Sequence, residues 1–552
     1  MSGQTVSEAK SRVYFSPNVD RDTRESLCDI LGFASTPKLG KYLGFPIKQP
    51  GTSPHDYNFI LDRVKQKLAG WKANMLSLAG RSVLIQASSA TIPAYVMQCT
   101  QLPGRILEGI DRVNRNFLWG SSDSVRKMHW IGWKKVTKSK EEGGLGLQTA
   151  KGKNIALLAK LNWRLATEKD ALWAKVISQK YCNQQRMNAA NADRLPCSHI
   201  WAAVKKGKEV FNKGSMWTVG RESNLSFWSG NWIKKGTLRQ QIQGPLTQEA
   251  SQWAVKDVMG DAGWDWDRIP FELPMDIKLM IQATPISMTG RGEDRLVWKE
   301  NPRGVFDLKS AYLFTENFDP CPPFAAGWLW KTKTLPKIKT FLWRCAHDSI
   351  GVKACLVRRG LGDDETCPIC RMEVESALHV LRDCGWAKAV WMQLGVGSTN
   401  HAFWMTDLQE WLTWNGKMNR SLIPNHPPWK MIYPFAIWNI WKSRNNVIFN
   451  RKNPNPRLAV DIIAQTWEFM YCVCSNRGLT RYIVKEVRWE KPPEGWSKLN
   501  TDGSVLGSTG LAGCGGIVRN NQGGWVAGFS RRIGDSNSFV AELWGLRDEL
   551  IM

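Results

Sequence analysis

Hydrophobic and polar positions follow two different periods along this chain of 552 residues. In residues 57–68 and 106–119, apolar side chains recur every three to four positions, which is typical of helices with one buried face. The same spacing predicts helices within residues 154–182 and 400–485. Residues 215–300 combine many tryptophans with short alternating runs, which indicates mixed structure.

The C-terminal stretch has a different hydrophobic pattern, because glycine-rich runs of alternating apolar and polar residues replace the helical period. Residues 499–504, 513–519 and 525–532 alternate as strands do, and Asn, Gln and Gly residues supply a turn between the second and third runs. A helix is predicted to follow, with Asn537 or Ser538 as its cap. This end of the chain is therefore expected to form three antiparallel strands and one helix.

These shifts in pattern predict five regions. The first mixes loops and helices, the second is helical and then Trp-rich, and the third is basic with a cysteine cluster. The fourth is helical, and a linker with two prolines separates it from the fifth. The predicted boundaries are 1–150, 151–300, 301–395, 396–490 and 496–552. We expect a multidomain α+β protein with a mainly helical basic region, a small zinc-stabilised lobe and a short α/β unit at its C-terminal end.

The net charge of the chain indicates its type of binding partner rather than its fold. Lysine and arginine number 75 against 49 acidic residues, so the net charge is +26, and acidic and basic residues balance after residue 495. A charge of this size favours a polyanion such as nucleic acid as partner, with a basic protein that has no ligand as the alternative. No apolar run is long enough for a membrane span, and the polar N-terminal stretch argues against secretion. The 30 tryptophans could stack on bases, but burial in a core is favoured for each of them.

The cysteines point to a metal rather than to disulfides. There are 13, an odd number spread over a long chain, which indicates the cytosol or the nucleus. Cys367, Cys370, His379 and Cys384 follow the pattern C-x2-C-x8-H-x4-C. Three thiolates and one imidazole suit a structural, tetrahedral Zn²⁺ site without an open position. The alternative is a set of unrelated reduced cysteines beside a surface histidine.

Basic and aromatic residues are interleaved just upstream of this cluster. Such interleaving suits contact with a nucleic-acid backbone plus stacking on bases, and an equally good interpretation is a solvated face over an aromatic core. The basic residues are Lys331, Lys333, Lys337, Lys339, Arg344, Lys353, Arg358 and Arg359, and the aromatic ones are Trp330, Phe341 and Trp343.

Two acidic residues near the C-terminal end come from different predicted elements. Asp502 ends the first strand, and Glu542 lies on the helix. Mg²⁺ binds to few carboxylates and keeps several waters, and a pair of such ions can activate water for phosphodiester cleavage. The two residues are therefore candidate Mg²⁺ ligands.

The motifs TDGS, GCGGIVR and AELWGL together resemble the first half of a type 1 ribonuclease H domain, specifically its plant retroelement-derived branch. The resemblance implies cleavage of RNA in RNA–DNA hybrids with Mg²⁺, with Asp502 and Glu542 as catalytic metal ligands. It also implies that the backbone at Gly503 and Ser504 approaches the RNA strand.

Upstream motifs resemble the same type of element. The run CPICRMEVESALHVLRDCGWAKAVW is similar to the zinc-binding domain that follows reverse transcriptase in plant LINE-type elements, which implies Cys367, Cys370, His379 and Cys384 as its metal ligands. Within residues 12–180, KYLGFPI, FLWGSSD and EEGGLGL resemble the segment after the polymerase palm. The resemblance covers most of the chain and is weak over residues 215–300.

Two departures from the family pattern bear on activity. The palm's aromatic-x-Asp-Asp signature does not occur, and the only Asp-Asp pair, Asp363–Asp364, reads as an acidic turn, so we expect no DNA synthesis. The family's third catalytic aspartate lies on a later strand, which is not matched up to Met552.

The sequence therefore suggests a decayed or truncated retroelement polyprotein, with little or no hybrid cleavage and with nucleic acid (RNA, DNA or their hybrid) as its partner. The alternatives are a non-enzymatic, zinc-dependent nucleic-acid-binding protein and an inert pseudogene product. We expect a nuclear or cytoplasmic location, and the nucleus follows only from the resemblance and the charge.

Overall fold

The structure is a computed structural model, and it describes only part of the chain. The described residues are 7, 11–16, 18–37, 41–42, 45–46, 54–69, 75–122, 125–181, 197–242, 244–260, 263–269, 271–284, 286, 294–315, 324–422, 424–474, 489–506 and 510–551. The predicted α+β class is confirmed, because about half of the described residues are helical and the described sheets are small and antiparallel. Within the described ranges, no helix combines the length and the apolar composition needed to cross a bilayer.

Helices account for most of the regular structure in these ranges. They are α1 (Arg21–Leu31), α2 (Asn58–Leu68), α3 (Leu78–Leu84), α4 (Ala94–Met97), α5 (Gly104–Trp119), α6 (Trp133–Val136), α7 (Ala150–Thr167), α8 (Leu172–Tyr181), α9 (His199–Gly214), α10 (Leu238–Gln241), α11 (Gln248–Ser251), α12 (Met275–Gln282), α13 (Leu308–Leu313), α14 (Trp328–Lys331), α15 (Pro336–Ala346), α16 (Lys353–Val357), α17 (Gly385–Gln393), α18 (His401–Trp404), α19 (Leu408–Lys417), α20 (Trp429–Asn450), α21 (Leu458–Cys474) and α22 (Ser538–Ile551). Helices α2, α5, α7 and α8 coincide with stretches in which the apolar spacing predicts helices.

The described strands form small antiparallel sheets. They are β1 (Lys41–Tyr42), β2 (Phe45–Pro46), β3 (Ser215–Thr218), β4 (Met259–Gly260), β5 (Gly263–Trp264), β6 (Arg295–Trp298), β7 (Lys498–Leu506), β8 (Leu511–Arg519) and β9 (Trp525–Asp535). The largest sheet has the order β7–β8–β9 and is followed by α22, whose N-terminal turn is capped by the Asn537 side chain. These elements lie where the alternating runs predict strands and a capped helix.

The chain divides into two compact units, each built from two separate stretches. The first unit comprises residues 1–154 and 318–478. Its core surrounds α20, and the fully buried tryptophans Trp343, Trp391, Trp411 and Trp429 belong to this core. The Trp343 indole N–H donates to the carbonyl of Gly143 at 2.8 Å, across 200 residues of sequence. For these tryptophans the core interpretation is correct.

The second unit comprises residues 155–317 and 479–552. One of its cores is rich in aromatic residues and contains Phe227, Trp228 and Trp232. A separate apolar cluster joins the inner face of the β7–β8–β9 sheet to α22, through residues such as Cys514 and Trp544. The Trp-rich region is therefore a packed core of short helices and short strands.

Candidate functional site

The four predicted zinc ligands lie on a turn, on a helical turn and at the start of a helix. Cys367 and Cys370 flank a tight turn, in which the Cys367 N–H donates to the Glu373 carbonyl at 2.8 Å. His379 opens a single turn of π-helix, His379–Asp383. Cys384 follows directly as the residue that precedes α17, and its N–H donates to the His379 carbonyl at 2.7 Å. Local hydrogen bonds thus fix the backbone at each ligand.

The ligand atoms of these four residues converge. One atom from each residue lies within 4.8 Å of the others, and the Cys370 sulfur is 3.5 Å from His379 Nε2. Cys367, His379 and Cys384 are buried, and Cys370 is half-buried. In a tetrahedral site with Zn–S bonds of about 2.3 Å, two sulfurs stand roughly 3.8 Å apart, so the cluster needs little adjustment to hold Zn²⁺.

The proximity of the ligands already shifts their pKa values. The side-chain hydrogen bond from Cys384 lowers the pKa of Cys367, and the same contact raises the pKa of Cys384. The contact with Cys367 raises the pKa of His379 to about 9. A metal that binds here must therefore displace protons, which makes its affinity dependent on pH.

Glu373 orients the histidine of the cluster. Its carboxylate oxygen lies 2.9 Å from His379 Nδ1, which leaves Nε2 directed at the sulfurs. A carboxylate behind a ligating imidazole fixes its tautomer and raises its basicity as a ligand. The sequence pattern did not predict a role for Glu373. Its position between the Cys-x-x-Cys pair and His379 was the only signal, and that signal does not reveal a side-chain direction.

A buried ion pair ties the cysteine-rich loop to the core. Glu375 accepts from Arg444 Nε at 2.8 Å and from Arg444 Nη2 at 2.6 Å, and from the N–H of Lys353 at 2.8 Å. The two side chains of the ion pair are 0% and 4% exposed. Two charges withdrawn from water need this bidentate geometry to offset their loss of hydration. Because Glu375 lies between Cys370 and His379 in the chain, the pair positions the cysteine-rich loop against α20.

The predicted nucleic-acid-binding residues fall into two groups. Lys331, Lys333 and Lys337 are exposed, and no described acidic side chain forms an ion pair with them. They remain candidates for contact with phosphate groups. The positions of α14 and of the first turn of α15 place all three within one short stretch of chain.

The remaining predicted cations are engaged within the protein. Lys339 donates to the Trp330 carbonyl at 3.0 Å, and Arg344 lies over the Trp130 ring at 4.7 Å, where burial lowers its pKa to about 10. The two other arginines also have partners. Arg358 pairs with Asp348 at 2.9 Å, Arg359 donates to the carbonyls of His129 and Trp130, and Lys353 pairs with Asp364 at 2.5 Å.

Two of the three interleaved aromatic residues belong to the core. Phe341 is 4% exposed and Trp343 is 0% exposed, so neither presents a face to a base. Trp330 is half-buried, with the Lys140 ammonium 5.2 Å from its ring. The stacking interpretation is therefore wrong for Phe341 and Trp343, because helix α15 turns its aromatic residues inward.

At the C-terminal end, the backbones of β7 and α22 touch beside the two candidate catalytic residues. A Cβ atom at Gly503 would lie 2.2 Å from the Ala541 carbonyl carbon and 2.3 Å from the Glu542 nitrogen. Only glycine allows this approach, so Gly503 brings the helix close to the strand. Asp502 is the preceding residue on β7, and its side chain and that of Glu542 are both exposed.

Alternation along β7 places Asp502 and Ser504 on the face opposite to the helix, where both are exposed. They line a shallow hollow together with Gly513, Cys514 and Gly515 of β8. Among the described residues, the zinc-type cluster is the one group of three or more potential ligands that converges. Neither Asp502 nor Glu542 therefore belongs to a converging group of described ligands.

Comparison with known proteins agrees with this arrangement. A protein of Arabidopsis thaliana named "Putative ribonuclease H protein" is 33% identical over 511 residues, which cover 91% of this chain and 82% of the relative. The chain belongs to this plant retroelement-derived ribonuclease H protein family. An uncharacterized mitochondrial protein of the same plant is 29% identical over 147 residues, or 26% of this chain and 95% of that protein.

Two family models match parts of this ribonuclease H family member. Residues 306–391 match the model described as zinc-binding in reverse transcriptase, and this range contains the Cys₃His cluster. Residues 500–551 match the model described as reverse transcriptase-like, which spans Asp502 and Glu542. The protein is thus retroelement-derived and related to nucleic-acid-processing proteins, and the cluster lies in a segment of zinc-binding type.

Proposed function

We propose that this protein binds nucleic acid through the exposed lysines that precede its zinc-type cluster. The observation that supports this most directly is that Lys331, Lys333 and Lys337 face solvent without a described acidic partner, next to a lobe that a metal would hold rigid. Cations of this kind bind phosphates and release counterions from the nucleic acid. The net charge of +26 acts in the same direction over longer distances.

Zinc has a structural role in this proposal. Cys367, Cys370, Cys384 and His379 would supply four ligands and leave no position for a substrate. When bound, the ion supplies folding energy to a loop that has little core of its own. Glu373 and the Glu375–Arg444 pair then position the loop.

The salt dependence of binding tests the lysine surface. The variant Lys333→Gln/Lys337→Gln is compared with the wild type and with Lys65→Gln/Lys67→Gln, whose lysines are exposed on α2. Fluorescence anisotropy with a labelled duplex gives the slope of log affinity against log salt. Each lost phosphate contact lowers the magnitude of the slope by about 0.9. A flat slope for the wild type, or an equal change in the α2 control, contradicts the proposal.

Asp502 and Glu542 form a second, catalytic candidate. We propose that they are Mg²⁺ ligands of ribonuclease H type, supported by the match over residues 500–551 and by the exposure of both carboxylates. Neither residue belongs to a converging group of three or more described ligands. Because a Mg²⁺ ion held by few carboxylates binds weakly, we propose that the 552-residue polypeptide by itself cleaves RNA–DNA hybrids slowly or not at all.

A cleavage assay with a labelled RNA–DNA hybrid tests this second proposal. The expected result is little product above background for the wild type with Mg²⁺, for Asp502→Asn and for the control Asp363→Asn, whose carboxylate lies elsewhere. Efficient Mg²⁺-dependent cleavage that Asp502→Asn abolishes and Asp363→Asn retains would contradict the proposed low activity. The same result would support the assignment of Asp502 as a metal ligand. Binding without cleavage favours the non-enzymatic alternative.

A further inference from the structure

A cavity of about 260 Å³ lies in the second unit, and its lining includes neither Asp502 nor Glu542. One wall consists of β9 and α22, and the other consists of the Trp-rich segment around β5 and the residues that follow α12. The side chains that matter here are Trp264, Trp266, Trp544, Arg531, Arg532 and Arg547.

Close packing fixes the two walls against each other. Ala283, just after α12, shares an apolar cluster with Ile533 of β9 and Trp544 of α22. Gly534 has a φ of 103°, and a Cβ atom there would lie 2.6 Å from the Leu279 carbonyl oxygen. At this glycine β9 therefore packs directly against the backbone of α12, which holds the two walls of the cavity together.

The cavity has an excess of positive charge. Arg531 forms an ion pair with the buried Asp548. Arg547 is half-buried and lies 4.3 Å over the Trp544 ring, and Arg532 is exposed without a described ion-pair partner. The nearby carboxylate of Asp265 is held by Arg268 at 3.0 Å. Two arginines therefore remain to attract an anion.

The same cavity has an aromatic surface. Trp264 and Trp266 are half-buried and stacked, with ring centroids 6.0 Å apart and an interplanar angle of 25°. Trp264 is also stacked on Trp232, with ring centroids 5.4 Å apart, so Trp266 is the ring left to contact a base. A ligand with both an anionic group and a planar ring would use the two arginines and Trp266.

We infer that this cavity binds one nucleotide unit, with its phosphate at Arg532 and Arg547 and its base against Trp266. The volume lies just below the range typical of sites for drug-sized ligands, so it accommodates a single nucleotide and excludes a stacked run of bases. The inference goes beyond the proposed function, because neither the exposed lysines nor Asp502 and Glu542 take part in it.

Photocrosslinking tests the inference on the full chain. A short single-stranded oligonucleotide that carries 5-iodouracil is irradiated with the protein, and crosslinked peptides are identified by mass spectrometry. The expected product joins the base to a peptide with Trp264 or Trp266. Excess adenosine monophosphate forms a second arm. Competition by it shows that the cavity takes free nucleotides, and a lack of competition assigns the cavity to nucleotides within a strand.

Variants complete the test. Trp266→Leu removes one stacking face and is expected to weaken oligonucleotide binding about five- to tenfold. Arg532→Gln changes an exposed side chain and should leave the fold intact. It is expected to lower the magnitude of the slope of log affinity against log salt by about 0.7. Arg303→Gln removes an exposed arginine of the same unit outside the cavity and serves as the matched control.

Crosslinks confined to other peptides overturn the inference, as does an equal effect of Arg532→Gln and Arg303→Gln. Lys333→Gln/Lys337→Gln separates this site from the lysine surface. The inference expects the crosslink at the cavity to persist in that variant. If only the proposal for the lysine surface is wrong, the crosslink at the cavity is still observed. If only the inference for the cavity is wrong, Lys333→Gln/Lys337→Gln still lowers the magnitude of the salt slope.

Discussion

The contact between Glu373 and His379 allows a quantitative prediction of how much zinc affinity falls when Glu373 is replaced. Glu373→Gln preserves the shape of the side chain and one acceptor oxygen but removes its charge. Loss of such a partner behind a ligating histidine costs about 10–100-fold in metal affinity. The Glu373 side chain is 68% exposed, so water screens its charge and the lower end applies. We expect about a tenfold loss of zinc affinity, or ~1.4 kcal/mol.

Competition with a chromophoric chelator measures this change, because the fraction of zinc taken from the protein reports relative affinity. Glu373→Ala removes the acceptor as well and should lose more than Glu373→Gln. Asp363→Asn is the matched control, since it removes an exposed acidic charge from the same loop without contact with a predicted ligand. Wild-type affinity in Glu373→Ala, or an equal loss in Asp363→Asn, would refute the assigned role.

Three further predictions concern stability. Arg444→Met leaves the Glu375 carboxylate buried without its partner and should destabilise the zinc-loaded protein by about 3–5 kcal/mol, measured by chemical denaturation. Adding Glu375→Gln should recover part of this stability. An unchanged stability of Arg444→Met alone would contradict the role of the ion pair. Gly503→Ala should push α22 away from β7 and speed proteolysis of the C-terminal segment, whereas Gly385→Ala, which has open space around it, should not. Removal of zinc with excess chelator should increase amide hydrogen exchange around Cys367 and Cys384, and unchanged protection would argue against a structural metal.

The zinc-type cluster shows which parts of a site can be predicted from the sequence. The spacing of Cys367, Cys370, His379 and Cys384 was enough to propose four ligands, and the structure brings their ligand atoms together. The role of Glu373 could not be predicted, because a carboxylate in a loop has no characteristic spacing relative to the ligand that it supports. The ligand roles themselves stay a prediction until a metal is measured.

The basic stretch shows a limit of the same reasoning. The sequence places Lys337 and Arg344 in one run of cations, yet Lys337 is exposed and Arg344 lies over Trp130. Trp130 comes from more than two hundred residues away, so no local pattern indicates this contact. Exposure of a cation depends on what packs against its helix.

What the sequence alone determined is local. Apolar spacing predicted α2 and α5, alternation predicted β7, β8 and β9, and an excess of lysine and arginine indicated an anionic partner. The helices and strands follow from neighbours a few residues apart, because helix and strand periods are set by the backbone itself. The charge follows from composition alone.

Only the tertiary structure decided which distant stretches share a core. Each unit joins two separate stretches, 1–154 with 318–478 and 155–317 with 479–552, whereas the five predicted linear regions stay a prediction. Burial of apolar surface has no preferred direction along the chain, so many partners are compatible with one amphipathic face. The choice among them, and with it the cavity between β9 and the Trp-rich segment, arises only when all faces are packed together.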